Sequence, residues 1–238
     1  MAAKEFLFNL LFPIQCLNCQ KEGDWLCPDC FSLIDIAVHQ FCPFCRPQKI
    51  VLDGQTCTFC KRSQKLKGLF SASSYKDFIV KRLILQFKYE PFVKELSQPL
   101  SSLILQHFRM LDHPPVFFRD KTGFVLIPVP LHRRKLKWRG FNQAEEIAKR
   151  LSLVLKIPLI PDVLFKIKET QPQVELTAEM RKENVKGVFV CRNENSIKNK
   201  KILLVDDVFT TGATMEECAR VLKDGGAKEV WGVAVARE

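Results

Sequence analysis

Two adjacent carboxylates follow a short apolar run in the segment KILLVDDVFTTGATMEEC, which begins at Lys201. The run ILLV is typical of a buried strand, and it delivers Asp206 and Asp207 to the carboxyl end of that strand. The residues TTGAT then offer hydroxyls and backbone N–H groups at the start of a predicted helix, a favourable place for an anion. We expect a phosphate in this loop, with sugar hydroxyls at the two acids. The alternative is a capped turn beside two solvated acids.

A basic stretch, LHRRKLKWRG, follows the apolar run FVLIPVP and contains five Lys or Arg residues and no acid. We interpret it as a loop at the carboxyl end of a second strand. There it could clamp a pyrophosphate, because arginine forks match phosphate oxygens. The candidate residues are Arg133, Arg134, Lys137 and Arg139. Two alternatives stay open: a solvated charge run, or a surface where Trp138 stacks on a base of single-stranded DNA.

Eight of the ten cysteines fall before residue 61, in four CxxC pairs. A CxxC turn directs two sulfurs to one point, which is half of a tetrahedral zinc site. The pattern therefore predicts one or two structural zinc sites rather than a disulfide framework, because the chain shows no clear secretion signal. The predicted ligands are Cys16, Cys19, Cys27, Cys30, Cys42, Cys45, Cys57 and Cys60. Pairing in sequential order closes the shortest loops, and the spacing leaves an interleaved pairing open.

Composition and charge narrow the class of partner. The chain has 238 residues, 47% of them hydrophobic, and a formal net charge of +11. Residues 1–65 are almost neutral, with 7 basic and 6 acidic residues, so the excess charge lies on the remainder. This distribution indicates an anionic partner, either a phosphorylated small molecule or nucleic acid. No apolar run approaches the roughly 20 residues of a membrane span, and we expect a cytoplasmic protein.

The acids and the basic stretch need a rigid frame to position them. From about residue 68, apolar runs suited to strands alternate with stretches of helical periodicity, which predicts a parallel α/β sheet flanked by helices. Ligands of such sheets bind outside the carboxyl ends of the strands. We therefore predict an N-terminal helix and zinc-ribbon module over residues 1–65 and the α/β domain over residues 66–238. Asn142 is expected to cap the helix that follows the basic stretch.

The segment VDDVFTTGAT resembles the ribose-phosphate-binding motif of type I phosphoribosyltransferases, which bind 5-phosphoribosyl-1-pyrophosphate with magnesium. The segments IPVPLHRRKLKWRGFNQAEEIAKRL and TQPQVELTAEMRKENVKGVF, together with the cysteine-rich front, resemble the ComF family of competence-associated proteins. That resemblance covers nearly the whole chain. It implies a double zinc ribbon joined to a type I phosphoribosyltransferase-like domain, and a role in DNA uptake.

Carried onto this sequence, the resemblance implies that Asp206 and Asp207 contact the ribose hydroxyls, directly or through Mg²⁺ and water. It also implies a 5-phosphate site formed by Thr210, Thr211, Gly212, Ala213 and Thr214. Phe209 stands where many members carry a smaller aliphatic residue, and we expect it to tighten the entrance without touching the phosphate loop. Four further residues are expected in the wall of the site: Gln171, Gln173, Arg181 and Asn184.

Three hypotheses follow. The first is a magnesium-dependent phosphoribosyltransferase, in which Asp206, Asp207 and Arg139 serve catalysis by position and charge rather than as a general base. The second is a non-catalytic competence factor that handles single-stranded DNA, with other DNA-uptake proteins as partners, and retains the sugar-phosphate pocket. The third, a purely structural zinc-ribbon adaptor, leaves the phosphate loop unexplained. The sequence does not identify an acceptor substrate.

Overall fold

The computed structural model describes residues 13–170 and 178–238. Gln171 and Gln173 lie outside the described residues, and so does the side chain of Arg181. Within the described part, no helix is both long enough and apolar enough to cross a membrane.

The centre of the molecule is a four-stranded parallel sheet in the order β1-β6-β5-β2. Successive residues of β5 face opposite sides: Leu203 packs into one core cluster, whereas Ile202 and Leu204 pack into the other. The continuous apolar runs in the sequence reflect this burial on both faces. A separate antiparallel pair joins β3 to β4. The strands are β1 (Gly68–Ser74), β2 (Phe124–Pro128), β3 (Leu164–Lys166), β4 (Phe189–Cys191), β5 (Lys201–Phe209) and β6 (Glu229–Arg237).

Helices cover both faces of the sheet. Leu83, Leu103 and Leu151, from three successive long helices, pack against one face, and Leu222 of the last helix packs against the other. This arrangement confirms the predicted parallel α/β fold. The helices are α1 (Pro28–Ser32), α2 (Phe78–Lys88), α3 (Ser97–Met110), α4 (Val116–Arg119), α5 (Arg133–Arg139), α6 (Gln143–Leu155), α7 (Ala178–Val185) and α8 (Ala213–Asp224).

Local signals in the sequence explain several helix boundaries. The side-chain oxygen of Asn142 accepts a hydrogen bond from the backbone N–H of Ala144 at 3.1 Å, so the predicted cap of α6 is present. Asp77 caps α2 in the same way through the N–H of Val80 at 2.9 Å. Gly140 ends α5 with a φ of 81°, a left-handed conformation that glycine adopts without strain.

The prediction that the basic stretch forms a loop is wrong, because residues 133–139 form the helix α5. No proline or glycine interrupts these seven residues, and Gly140 supplies the stop. The consequence for function is large, because residues four apart on a helix share one face. The basic side chains of this stretch therefore cannot all point toward the same ligand.

Candidate functional site

The carboxyl edge of the sheet opens into a cavity of about 650 Å³. Strands β2 and β5 end there, and the wall also includes residues of the helices α2, α5, α6 and α8 and of the strands β3 and β4. Of the residues predicted for the site, those lining the cavity are Arg139, Asp206, Asp207, Thr210, Gly212 and Thr214. The fold thus gathers residues that lie up to 75 positions apart in the sequence. A volume of this size is typical of small-molecule sites.

The two acids at the end of β5 have different partners. Asp207 is buried, and its Oδ1 lies 2.8 Å from the Nζ of Lys88. Asp206 accepts the backbone N–H of Asp207 at 2.9 Å. Burial, and then the negative charge of Asp207, raises the pKa of Asp206 to about 7. A divalent cation or a hydroxyl donor in the cavity would stabilise the charged form, and carboxylate oxygens are ligands that Mg²⁺ prefers. The acid pair therefore fits a magnesium-assisted sugar site.

Lys88 is a functional candidate that sequence reasoning missed. It is the last residue of α2, four positions after the buried Ile84 and directly after the buried Phe87. This spacing places it at the edge of the buried face, where a lysine needs a partner. A close reading of the helical periodicity would have singled it out. Its pairing with Asp207 required knowledge of the fold, because the two residues belong to separate elements.

The loop between β5 and α8 is tightly constrained at Gly212. Its φ is 83°, and a Cβ built there would lie 2.5 Å from Cζ of Phe209. The Phe209 ring, with 1% exposure, therefore packs directly against the loop. The expectation that Phe209 stays clear of the phosphate loop is wrong, because the strand continues to Phe209 and the chain then folds back over its ring.

The remaining predicted loop residues have separate positions. Thr210 and Thr214 line the cavity with Gly212. Thr211 instead accepts the backbone N–H of Ala213 through its hydroxyl, at 3.4 Å, and so closes the turn from within. Ala213 is buried as the first residue of α8.

Helix α5 presents two of its cations to the cavity. Lys135 and Arg139, four residues apart, line it. Arg133 instead lines an adjoining cavity of about 410 Å³. Arg134 lies on the surface and pairs with Glu169 at 2.8 Å, and Lys137 is exposed without lining either cavity. The structure therefore brings Arg139 to the acids and does not bring Arg133, Arg134 or Lys137 there.

Arg139 is held in place by a buried glutamine. Its Nη1 donates to Oε1 of Gln143 at 2.5 Å, and Nε2 of Gln143 donates to the carbonyl of Phe87 at 2.9 Å. Gln143 is 2% exposed, so its amide has a fixed orientation. Burial lowers the pKa of Arg139 from its ordinary value. These two hydrogen bonds orient the guanidinium toward the cavity. The contact with Phe87 could not be predicted from the sequence, because Phe87 lies 56 residues before Gln143.

Lys166 of β3 is a further cation in the wall that sequence reasoning missed. It lines both cavities, and its Nζ donates to the hydroxyl of Thr170 at 2.7 Å. Burial, followed by the charge of Lys135, lowers the pKa of Lys166 to about 8. An anion bound between Lys135 and Lys166 would relieve this repulsion. The two lysines thus give the cavity lining positive charge that suits a bound anion.

The eight N-terminal cysteines form two clusters in sequential order. Cys16, Cys19, Cys27 and Cys30 make the first cluster, and Cys42, Cys45, Cys57 and Cys60 make the second. The four sulfurs of each lie within 4.8 Å of one another, and Cys45 lies 3.6 Å from Cys57 and 3.7 Å from Cys60. Sulfurs around a zinc ion stand about 3.8 Å apart, given Zn–S bonds of about 2.3 Å. Both clusters therefore fit structural zinc, as predicted.

Backbone N–H groups support the sulfurs in each cluster. The N–H of Cys57 points to the sulfur of Cys42 at 3.4 Å, and the N–H of Cys27 points to that of Cys16 at 3.4 Å. A backbone hydrogen bond from Cys60 is the main cause that lowers the pKa of Cys57 to about 6. Such bonds favour the thiolate, the form that binds metal.

Comparisons with known proteins agree with this architecture. Residues 138–237 match the family described as "Phosphoribosyl transferase domain". "Competence protein ComFC" of Bacillus subtilis is 30% identical over 211 residues, covering 87% of this chain and 81% of that protein. "Competence protein F" of Haemophilus influenzae is 38% identical over 119 residues, and "DNA utilization protein YhgH" of Escherichia coli is 33% identical over 143.

The last two matches are partial. They span 52% of the Haemophilus protein and 59% of the Escherichia protein. Among solved structures, a purine phosphoribosyltransferase from Pyrococcus horikoshii aligns with 23% identity and a TM-score of 0.30, covering 50% of this chain and 74% of that one. A superposition of that quality adds no weight to the assignment. The nearly full-length match to ComFC, together with the matching domain, shows that the chain belongs to the ComF family.

Proposed function

We propose that the protein binds 5-phosphoribosyl-1-pyrophosphate with Mg²⁺ and transfers its phosphoribosyl group to an acceptor, in the cytoplasm. The observation that carries the proposal is the joint opening of three features into one cavity: the acid pair, the glycine-containing loop and the cations of α5. Each feature suits one part of the donor. The family match supports the same ligand class, because a phosphoribosyl transferase domain covers residues 138–237.

The donor would lie along the carboxyl edge of the sheet. The loop of Thr210, Gly212 and Thr214 would hold the 5-phosphate at the start of α8, where backbone N–H groups and the helix dipole favour an anion. Asp206 and Asp207 would reach the ribose hydroxyls. The same carboxylates, together with the donor, would hold Mg²⁺, which would supply positive charge beside the pyrophosphate.

We assign the pyrophosphate contacts to Lys135 and Arg139, with Lys166 as a third cation lining the same cavity. This assignment replaces Arg133, Arg134 and Lys137, because α5 turns those side chains away from the cavity. Arginine offers a planar fork for phosphate oxygens, and Gln143 fixes the orientation of this fork. Lysine supplies a point charge that adapts to the leaving group.

The reaction needs position and charge more than proton transfer. The bond between the anomeric carbon and the pyrophosphate oxygen breaks, its electron pair leaves with pyrophosphate, and an acceptor nucleophile attacks the opposite face. Positive charge develops on the ribose ring between these events. Asp206 and Asp207 lie on the ribose side and stabilise that charge, whereas Lys135 and Arg139 stabilise the departing anion.

The test is calorimetric titration of the zinc-loaded protein with the donor, with and without Mg²⁺. We expect magnesium-dependent binding that the double variant Asp206→Asn/Asp207→Asn loses. The variant Lys135→Ala/Arg139→Ala should bind about a hundredfold more weakly, since each phosphate contact contributes on the order of 1–2 kcal/mol. The matched control Arg133→Ala/Lys137→Ala removes the same number of charges from the same helix and should bind normally. Equal losses in the two variants would refute the assignment.

A second candidate function, contact with single-stranded DNA, is favoured by the outward face of α5. Arg133, Arg134 and Lys137 are exposed there, and Trp138 is 55% exposed, with its ring edge against Phe92. Cations beside an exposed aromatic ring suit a nucleic-acid strand. The printed names of the relatives, "Competence protein" and "DNA utilization protein", agree with such a partner.

The two faces of α5 give this second function its own test. Binding of single-stranded DNA should weaken with salt and be lost in Arg133→Ala/Lys137→Ala, whereas Lys135→Ala/Arg139→Ala should retain it. The expected pattern is therefore the reverse of that for the phosphoribosyl donor. A DNA affinity that neither variant changes would rule out α5 as the contact surface.

A further inference from the structure

The second cysteine cluster lies directly against the phosphate loop. Phe44, inside the CPFC turn of residues 42–45, packs edge-on to Phe209 with ring centroids 6.4 Å apart. A Cβ added to Gly212 would lie 3.0 Å from Cε1 of Phe44 and 2.5 Å from Cζ of Phe209. The loop backbone therefore rests against both rings. One ring belongs to the α/β domain and the other to the metal-binding module.

An arginine joins the two parts on the surface side. Nη1 of Arg46 donates to the carbonyl of Cys45 at 3.0 Å, and Nη2 donates to the carbonyl of Thr210 at 3.2 Å. One guanidinium thus bridges a predicted metal ligand and a residue of the phosphate loop. Because both acceptors are backbone oxygens, a movement of the cluster would shift the loop backbone itself.

Two further contacts anchor the module on either side of the loop. At the end of β6, the buried Arg237 donates through Nη2 to the carbonyls of Cys42 and Pro43, at 3.0 and 3.1 Å. In the first turn of α8, the carboxylate of Glu216 accepts the backbone N–H groups of Lys65 and Leu66, at 2.6 and 3.0 Å. The second cluster is therefore tied to β6, the neighbour of β5, and the segment that follows the cluster is tied to α8.

We propose that the second cysteine cluster positions the phosphate loop, with Phe44 and Arg46 as the positioning residues, so that affinity for a 5-phosphorylated sugar depends on this cluster. This inference rests on the proposed function for its ligand. The first cluster differs, because its buried cysteines pack into the core on the opposite face of the sheet from Phe209 and Ala213. A metal ion held by the second cluster would thus serve the binding site as well as the module that contains it.

The chain offers a closely matched control. Phe59 occupies the same place in the CTFC turn of residues 57–60 as Phe44 does in CPFC, and it is 79% exposed. Phe44→Ala and Phe59→Ala therefore remove the same side chain from the same cluster, and only one of them contacts the loop. For Arg46→Ala, the exposed Arg62 supplies a control of equal charge, and Arg46→Lys tests whether the bridge can be partly restored.

The ligands for the test are ribose 5-phosphate and pyrophosphate, measured separately. We expect Phe44→Ala to weaken ribose 5-phosphate binding about tenfold, the scale of a lost aromatic contact, and to leave pyrophosphate binding and zinc content unchanged. Arg46→Ala should act in the same direction, and Arg46→Lys should recover part of the loss. A general structural defect would weaken both ligands together. Equal ribose 5-phosphate affinities in Phe44→Ala and Phe59→Ala would overturn the proposal.

Hydrogen exchange in the ligand-free protein separates this inference from the proposed function. Backbone amides of residues 209–216 should exchange faster in Phe44→Ala than in Phe59→Ala. If the wild type binds neither ligand, the proposed function is wrong, and the exchange result still decides whether the cluster holds the loop. Identical exchange in the two variants would show that it does not.

Discussion

Replacing Gly212 with alanine tests the geometry of the phosphate loop most sharply. An alanine there must adopt a φ of 83°, which costs about 1 kcal/mol relative to glycine. Its Cβ would also lie 2.5 and 3.1 Å from atoms of the Phe209 ring and 3.0 Å from Phe44. Phe209 is 1% exposed and has little room to move, so the overlap adds about 1–3 kcal/mol. We expect Gly212→Ala to lose about 2–4 kcal/mol in total.

The assay is thermal unfolding, followed by donor titration of the folded variant. For a chain of this length, 1 kcal/mol corresponds to about 2–4 °C in Tm, so the expected decrease is about 5–15 °C. Gly123 is the control, because its φ of 73° is similar and a Cβ there would have nothing within 4 Å. Gly123→Ala should lower the Tm by only about 2–4 °C and leave donor binding intact.

A double variant tests the steric contact between Gly212 and Phe209 by itself. Combining Gly212→Ala with Phe209→Val removes the ring that the new methyl group would strike. The double variant should then be less destabilised than the sum of the two single variants by about 1–2 kcal/mol. If Gly212→Ala costs no more than Gly123→Ala, or if the two changes are strictly additive, the packing of Phe209 against the loop is not the constraint described here.

Three other predictions concern charge and metal. Lys88→Met should lower the free energy of unfolding by about 3 kcal/mol, because it leaves the carboxylate of Asp207 buried without its partner. Adding Asp207→Asn to that variant should recover part of the loss. The control is Lys81→Met, at an exposed lysine of the same helix, and an equal loss there would contradict the prediction. Asp206→Asn should abolish magnesium-dependent donor binding yet stabilise the fold at pH 8, by up to about 4 kcal/mol from the shift in the pKa of Asp206. The sign follows from the raised pKa of Asp206 in the folded state. At low pH the carboxyl group is protonated in both states and does not affect stability, whereas its cost to the folded state grows between the ordinary pKa of 3.8 and the folded value of about 7 and is constant above that. Denaturation curves in which the wild type is the more stable protein at pH 8 would refute this prediction. Metal analysis should find two zinc ions per chain. A strong chelator should unfold the cysteine module and speed hydrogen exchange in the loop between β5 and α8. Unchanged exchange in that loop after complete zinc removal would contradict the prediction.

Local patterns in the sequence were sufficient to predict the sheet and the acid loop. The runs ILLV and FVLIPVP lie in β5 and β2, two neighbouring strands whose continuous apolar residues reflect burial on both faces. The cap at Asn142 depends on contacts within two residues, which the sequence displays directly. The CxxC turns are equally local, and the structure chooses the sequential pairing that short loop closure favoured.

What the sequence did not reveal depends on orientation and long-range packing. Five cations in ten residues indicated phosphate binding, but only the register of α5 separates Lys135 and Arg139 from their neighbours. Lys88 and Gln143 acquire their roles from Asp207 and Phe87, which lie far away in the sequence, so neighbouring residues could not reveal these contacts. The contact of Phe44 with the loop joins residues more than 160 positions apart and arises only when the cysteine module folds against the sheet.

Phosphorus NMR of 5-phosphoribosyl-1-pyrophosphate titrated with the zinc-loaded protein and Mg²⁺ tests the central claim most directly, because it resolves the 5-phosphate from the pyrophosphate. The account predicts that the wild type shifts both signals and that Asp206→Asn/Asp207→Asn shifts neither. Gly212→Ala should weaken the response of the 5-phosphate first, and Lys135→Ala/Arg139→Ala that of the pyrophosphate. If the folded wild type leaves both signals unchanged, the cavity is not a donor site, and contact with single-stranded DNA becomes the favoured function.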